Sequence, residues 1–170
     1  HLHCDHASGI EDFPDAEVWT TSTEYNYAIR TIGKGFSSSM FDNDKIKWRF
    51  IRLQNSPYEN FDKSLDVYGD GSIVLVPMPG HTPGQVGMFV NMKSGRRFLF
   101  VADATLYSDD AKIPARPWAE KLFVDADKNK TEETVVRISR LMEKYPELVI
   151  ISSHDGPDKY AEFLFPRFVK

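Results

Sequence analysis

Between Lys45 and Phe50 the chain alternates strictly, with Lys45, Lys47 and Arg49 on one side and Ile46, Trp48 and Phe50 on the other. A period of two marks a strand with one buried face, so this segment predicts a half-buried strand with Trp48 and Phe50 as core candidates. Ala16 to Thr21 reads as a shorter strand. Thr21 and Glu24 then have capping-box spacing for a helix running toward Ile32, where Gly33 and Gly35 stop it. Two hairpins follow. Leu65–Tyr68 and Ser72–Val76 flank Gly69-Asp70-Gly71, and Gln85–Met92 and Arg97–Ala102 flank Lys93-Ser94-Gly95. Tyr107 to Trp118, interrupted by Pro114 and Pro117, predicts irregular loop, and Glu120 to Lys130 carries no clear pattern. The strongest helical stripe is Val135, Ile138, Leu141, Met142 and Tyr145, with Thr131 as its cap and Pro146 as its end. Leu148 to Ser152 is a buried strand leading to His154. This order predicts a single mixed α/β domain over residues 1–170 with antiparallel hairpins.

Composition narrows the classes. The 170 residues are 41% hydrophobic and 27% charged, enough for one core and a solvated surface. A net charge of −4 lacks the basic excess that sequence-independent nucleic-acid binding needs, so no nucleic-acid partner is expected. No run approaches the roughly 18 apolar residues of a membrane span, and no membrane partner is expected either. Cys4 is the only cysteine, which excludes an internal disulfide framework and fits a cytoplasmic location. The chain opens on histidine, inside its most chemically loaded segment, which leads us to expect a truncated chain.

The five histidines fall in three places: His1, His3 and His6 at the start, His81 in a Gly/Pro turn, and His154 after the last buried strand. Each place, like Asp103, follows a predicted strand or sits in a tight turn, except that no strand precedes His1 within the chain. Side chains at strand ends can converge on one sheet edge. Imidazole and carboxylate together suit divalent zinc, and the number of donors supports two ions. A lone histidine is more often structural than ligating; an ordered set reverses those odds.

That set is His1-x-His3-x-Asp5-His6, Gly80-His81-Thr82-Pro83-Gly84, Ala102-Asp103-Ala104 and Ser153-His154-Asp155. In order, it resembles the ligand motifs of the metallo-β-lactamase superfamily. The opening run through Ala7-Ser8-Gly9, Ala102-Asp103-Ala104-Thr105 and His154-Asp155 look most like its N-acyl-homoserine lactonase branch. The resemblance implies a four-layer αββα sandwich, here lacking its N-terminal strands. It implies that His1, His3 and His81 hold one ion, that Asp5, His6 and His154 hold the second, and that Asp103 bridges them. The ions would be zinc, with iron or manganese as alternatives.

The implied activity is hydrolysis of a lactone or other carboxylic ester by a metal-bridged hydroxide, available because metal binding lowers the pKa of water to about 7. Asp5 or Asp103 would carry the proton to the leaving oxygen, and Tyr107, four positions after Asp103, would meet the substrate carbonyl. Thioesters, as in glyoxalase II, and phosphodiesters are alternative substrates for the same ion pair. A diiron flavoprotein fits less well because His3 stands where that branch usually has glutamate, and a β-lactamase proper because Asp103 is present. From a different class comes an inactive, metal-free fragment. Loss of N-terminal strands would expose apolar sheet surface and an open edge, favouring self-association into a homo-oligomer or dependence on the missing segment. Cys4, at the variable position of the first motif, is expected to pack. Lys45, Lys47 and Arg49 read as a solvated face, and Trp118 as core or pocket lining.

Overall fold

The computed structural model describes residues 1–41, 44–116 and 124–160. In chain order these form α1 (Cys4–Ala7), β1 (Glu17–Thr21), α2 (Ser22–Arg30), β2 (Lys47–Ile51), β3 (Leu65–Asp66), β4 (Ile73–Pro77), β5 (Val86–Asn91), β6 (Arg97–Ala102), α3 (Lys128–Lys144) and β7 (Val149–Ser152). Short 3-10 turns lie between them, including Ser108–Lys112 within the segment expected to be loop. Trp118 and residues 120–123 of the unassigned stretch lie outside the described residues.

β3 to β7 make one five-stranded sheet in chain order. Both expected hairpins are present, so β3 to β6 are antiparallel neighbours. The Asp66 carboxylate accepts the N–H groups of Gly69 and Gly71 and closes the first turn. β7 runs parallel to β6, a pairing that needs a long crossover, and α3 lies within it. The helix buries Val135, Ile138 and Leu141, and the last two join Val74, Val76, Phe89, Leu99, Val101 and Ile150 of the sheet in one core. Burying a side chain such as Ile138 or Leu141 contributes about 1.5–3 kcal/mol, which fixes the sheet beneath the helix.

α3 starts earlier than Thr131. Asp127 is the cap, its carboxylate accepting the N–H groups of Asn129 and Lys130. Thr131 is fully buried inside the first turns and donates to the Asp127 carbonyl. The carboxylate is a good acceptor for the free amides of a helix N-terminus. It leaves Thr131 free to pack on the Gly80 backbone, where a Cβ on Gly80 would lie 2.2 Å from the Thr131 nitrogen.

β1 and β2 form a separate parallel pair. The alternating strand exists, but Phe50 is 52% exposed and Trp48 only half-buried, which corrects their expected place in the core. Tyr25 of α2 meets both rings edge-on at 5.2 Å, so they flank a helix at the margin of the second core cluster of Leu2, Ala7, Ala28, Phe36 and Phe41. On the charged side, Lys47 pairs with Asp15, and Arg49 pairs with Glu17 while lying over Trp19. α2 ends at Arg30, and Ile32 is fully exposed.

Candidate metal centre

Four chain segments deliver the candidate ligands to one place. His3 precedes α1, whose first turn carries Asp5 and His6. His81 sits in the turn between β4 and β5, and Asp103 and His154 directly follow β6 and the end of β7. At Phe100 to Ala102 the β6–β7 register slips by a bulge, and Ala102 adopts a positive φ of 49°. Such irregularities re-aim the side chain that follows, here Asp103.

The donors fall into two groups: His1, His3 and His81, and Asp5, His6, Asp103 and His154, each with ligand atoms within 4.8 Å of one another. His3 Nδ1 lies 3.1 Å from His1 Nε2 and 3.0 Å from His81 Nε2. Ligands on a tetrahedral zinc with Zn–N bonds of ~2.05 Å are separated by about 3.3 Å, so these three nitrogens converge at coordination spacing. Asp103 reaches both groups. Its Oδ1 is 3.3 Å from His6 Nε2, and its Oδ2 is 3.2 Å from His154, 3.5 Å from His81 and 3.9 Å from His1. Asp5 is more exposed, 3.5 Å from His6 and 3.7 Å from His154.

The residues fit divalent ions. His6 Nε2 and Asp103 Oδ1 are buried and face each other without a hydrogen bond, an arrangement costly for polar atoms unless something else meets them. Burial, then the neighbouring His81, pushes His3 down to about 4, which keeps its imidazole neutral as a ligand must be. Burial alone would raise the Asp103 carboxyl. The imidazoles of His6, His81 and His154 outweigh it and hold Asp103 well below the usual carboxylate range.

Residues 1–154 match the model of the metallo-beta-lactamase superfamily. The chain belongs to this superfamily. N-acyl homoserine lactonase AttM of Rhizobium radiobacter is 31% identical over 166 residues, covering 96% of this chain and 58% of the relative. The chain thus spans little more than half the length of this curated relative. Among solved structures, an AiiA mutant from B. thuringiensis with N-decanoyl-L-homoserine at its active site superposes with a TM-score of 0.73 at 20% identity, covering 99% of this chain and 59% of that one. AidC, a dizinc quorum-quenching lactonase in complex with a product, gives a TM-score of 0.50 at 20% identity, covering 84% and 49%. The fold is the α/β metallo-β-lactamase fold.

Around this superfamily site stand supporting residues, two of which, Asp125 and Arg116, sequence motifs alone did not single out. Asp125 Oδ1 is 3.3 Å from His81 Nδ1, the ring nitrogen turned away from the other histidines. Arg116 grips Asp125 with two hydrogen bonds of 3.1 and 2.9 Å, and its third nitrogen donates to the Ala104 carbonyl beside Asp103. The side chains of this pair are fully buried. Burial would raise the Asp125 carboxyl, but His81 and then Arg116 hold it below its ordinary value. Neither residue sits in a recognisable motif; a proline-bounded loop gave no signal. Asp155 accepts the N–H groups of Ser108 and Ser152, tying the loop after Asp103 to the strand before His154, and also accepts the Tyr160 hydroxyl.

Tyr107 lies on that loop, 52% exposed, with its N–H donating to Asp110. Cys4 is half-buried, and its backbone N–H donates to the Gly35 carbonyl.

Proposed function

We propose that this chain carries the metal-binding part of a dinuclear metal-dependent hydrolase that opens lactones or other carboxylic esters. The observation that carries the reading is the position of Asp103, whose two oxygens face His6 on one side and His81 and His154 on the other. His1, His3 and His81 would hold one divalent ion, Asp5, His6 and His154 the second, and Asp103 would bridge them. Two zinc ions so held would supply a hydroxide at neutral pH and polarise the substrate carbonyl.

The protein's own groups do the rest. Burial keeps the His3 imidazole neutral, so no proton competes for its ring nitrogen, and the Arg116–Asp125 pair keeps His81 turned with Nε2 toward the site. Asp5, the most open of the site's carboxylates, turns Oδ2 toward His6 and His154 while its side chain stays exposed, which suits proton delivery to the departing oxygen. Tyr107, on an anchored loop with its side chain exposed, is our candidate to meet the carbonyl of the bound substrate. The lactonase activity of AttM and the acyl-homoserine ligand of AiiA support a small lactone as substrate. The dizinc centre of AidC supports zinc as the metal.

Elemental analysis of protein purified without chelator, paired with a pH-indicator assay on N-acyl-homoserine lactones, tests the proposal. Two zinc ions per chain and lactone opening are expected, with the zinc content reduced and lactone opening lost in His81→Ala. Two ions with turnover of thioesters or phosphodiesters alone would refute the substrate; no bound metal after zinc is offered would refute the centre.

A further inference from the structure

Glu24 is a charged residue in the wrong surroundings for a capping side chain. It is only 1% exposed, and its carboxylate does not return to the start of its own helix. One oxygen accepts the N–H of Leu2 at 3.0 Å, and the other accepts the N–H of Gly84 at 3.0 Å. Leu2 separates His1 from His3; Gly84 lies three residues beyond His81. The cap itself is made by Thr21, whose oxygen accepts the Glu24 N–H and whose hydroxyl donates to the Gly84 carbonyl. Gly84 admits this close approach because a Cβ there would lie 2.2 Å from the Glu24 nitrogen.

We infer that Glu24 is a positioning residue that clamps the two segments bearing the three-histidine donor group. The carboxylate is bonded to both backbones, and it approaches each between or beside the ligands, where a shift of the main chain would carry the imidazoles with it. The inference rests on the reading of those histidines as metal ligands. Its effect is asymmetric. Both clamped segments feed the group of His1, His3 and His81, whereas the second group takes Asp5 and His6 from α1, beyond the clamped Leu2, and Asp103 and His154 from the ends of β6 and β7.

Glutamine separates clamping from mere space-filling. An amide has the same shape but one acceptor, so in Glu24→Gln an NH2 must face either the Leu2 or the Gly84 N–H, donor against donor. The test is zinc titration of the chain against a chromophoric chelator, following both binding steps, on the unaltered protein, on Glu24→Gln and Glu24→Asp, and on Leu141→Ala as a core variant remote from the site. Glu24→Gln is expected to weaken one zinc step about 10–100-fold, the range for losing a group that orients a metal ligand, and to leave the other within a few-fold. Glu24→Asp, which keeps both acceptors on a shorter stem, is expected to recover part of that loss. If Glu24→Gln does not fold, Glu24→Asp alone decides, by the same one-step weakening. Equal weakening of both steps, or affinities no different from those of Leu141→Ala, would overturn the clamp. Absence of zinc binding by the unaltered chain would instead refute the metal reading on which it rests.

Discussion

Asp125 Oδ1 stands 3.3 Å from Nδ1 of His81, so the carboxylate can hold the proton on that nitrogen and leave Nε2 free to face His3. A carboxylate behind a metal-ligating imidazole fixes its tautomer and raises its basicity. Asp125→Asn is therefore expected to lower zinc affinity about 10–100-fold, measured by chelator competition. Asp125→Ala does more harm, because it removes the carboxylate that accepts two hydrogen bonds from the buried Arg116 guanidinium. Breaking a buried pair from one side costs about 3–5 kcal/mol, to be read in denaturant unfolding. An Asp125→Ala protein as stable as the parent would show that solvent reaches Arg116 more easily than its burial implies.

The parts of this molecule that repeat a simple period were readable from its sequence. The alternation in β2, the turn residues of both hairpins and the stripe of α3 each report which side faces a neighbour, and each has its strand or helix. What failed depended on tertiary competition. Phe50 obeys the alternation, yet the Tyr25 ring set edge-on against it leaves it 52% exposed. Thr131 has a capping side chain, but Asp127 takes the helix start while Thr131 is buried against Gly80. Glu24 has the right spacing for a capping box and is drawn instead to two distant backbone amides. The candidate ligands were legible because metal-binding donors come in ordered short motifs. Asp125 and Arg116 were not, because a supporting residue needs only to arrive at the right place, from any loop.

Gly80 is held at a φ of +139°, and any Cβ there would press on the backbone of Thr131. Asp127 and Ala126 donate to the Gly80 and His81 carbonyls, so this contact joins the start of α3 to the turn that carries His81. Gly80→Ala must push the two apart. A loss of about 1–3 kcal/mol is expected, as for overpacking, which lowers the melting temperature by about 2–4 °C per kcal/mol in a chain of this size. Zinc affinity should fall with it, because His81 is the adjacent residue. A melting temperature unchanged by Gly80→Ala would contradict the closeness of this packing.

Leu141 tests the converse. It is 1% exposed and lies in the core cluster with Ile138 and Leu99, on the sheet face under α3. Leu141→Ala is expected to cost about 2–5 kcal/mol by leaving a cavity. Its effect is confined to stability: under conditions where the variant is folded, zinc stoichiometry should match the parent's. Loss of an ion would mean that the core beneath α3 and the ligand cluster respond as one unit.

His3 gives the metal-free protein a defined response to acid. Its imidazole is pushed down to about 4 from an ordinary 6.5, first by burial and then by His81. Between these values the unfolded chain binds a proton that the folded chain refuses, so lowering the pH favours unfolding. This contribution to stability is fully present above about pH 6.5 and is lost progressively as the pH falls toward 4, below which both states carry the proton. Denaturant titrations of chelator-treated protein across this window should show stability declining with acid, and His3→Gln should flatten the decline. Bound zinc takes the same nitrogens in competition with protons, so the loaded protein should keep its stability to lower pH until the ions are released. Equal slopes for the parent and His3→Gln would mean that His3 titrates in the folded protein as it does in the unfolded chain.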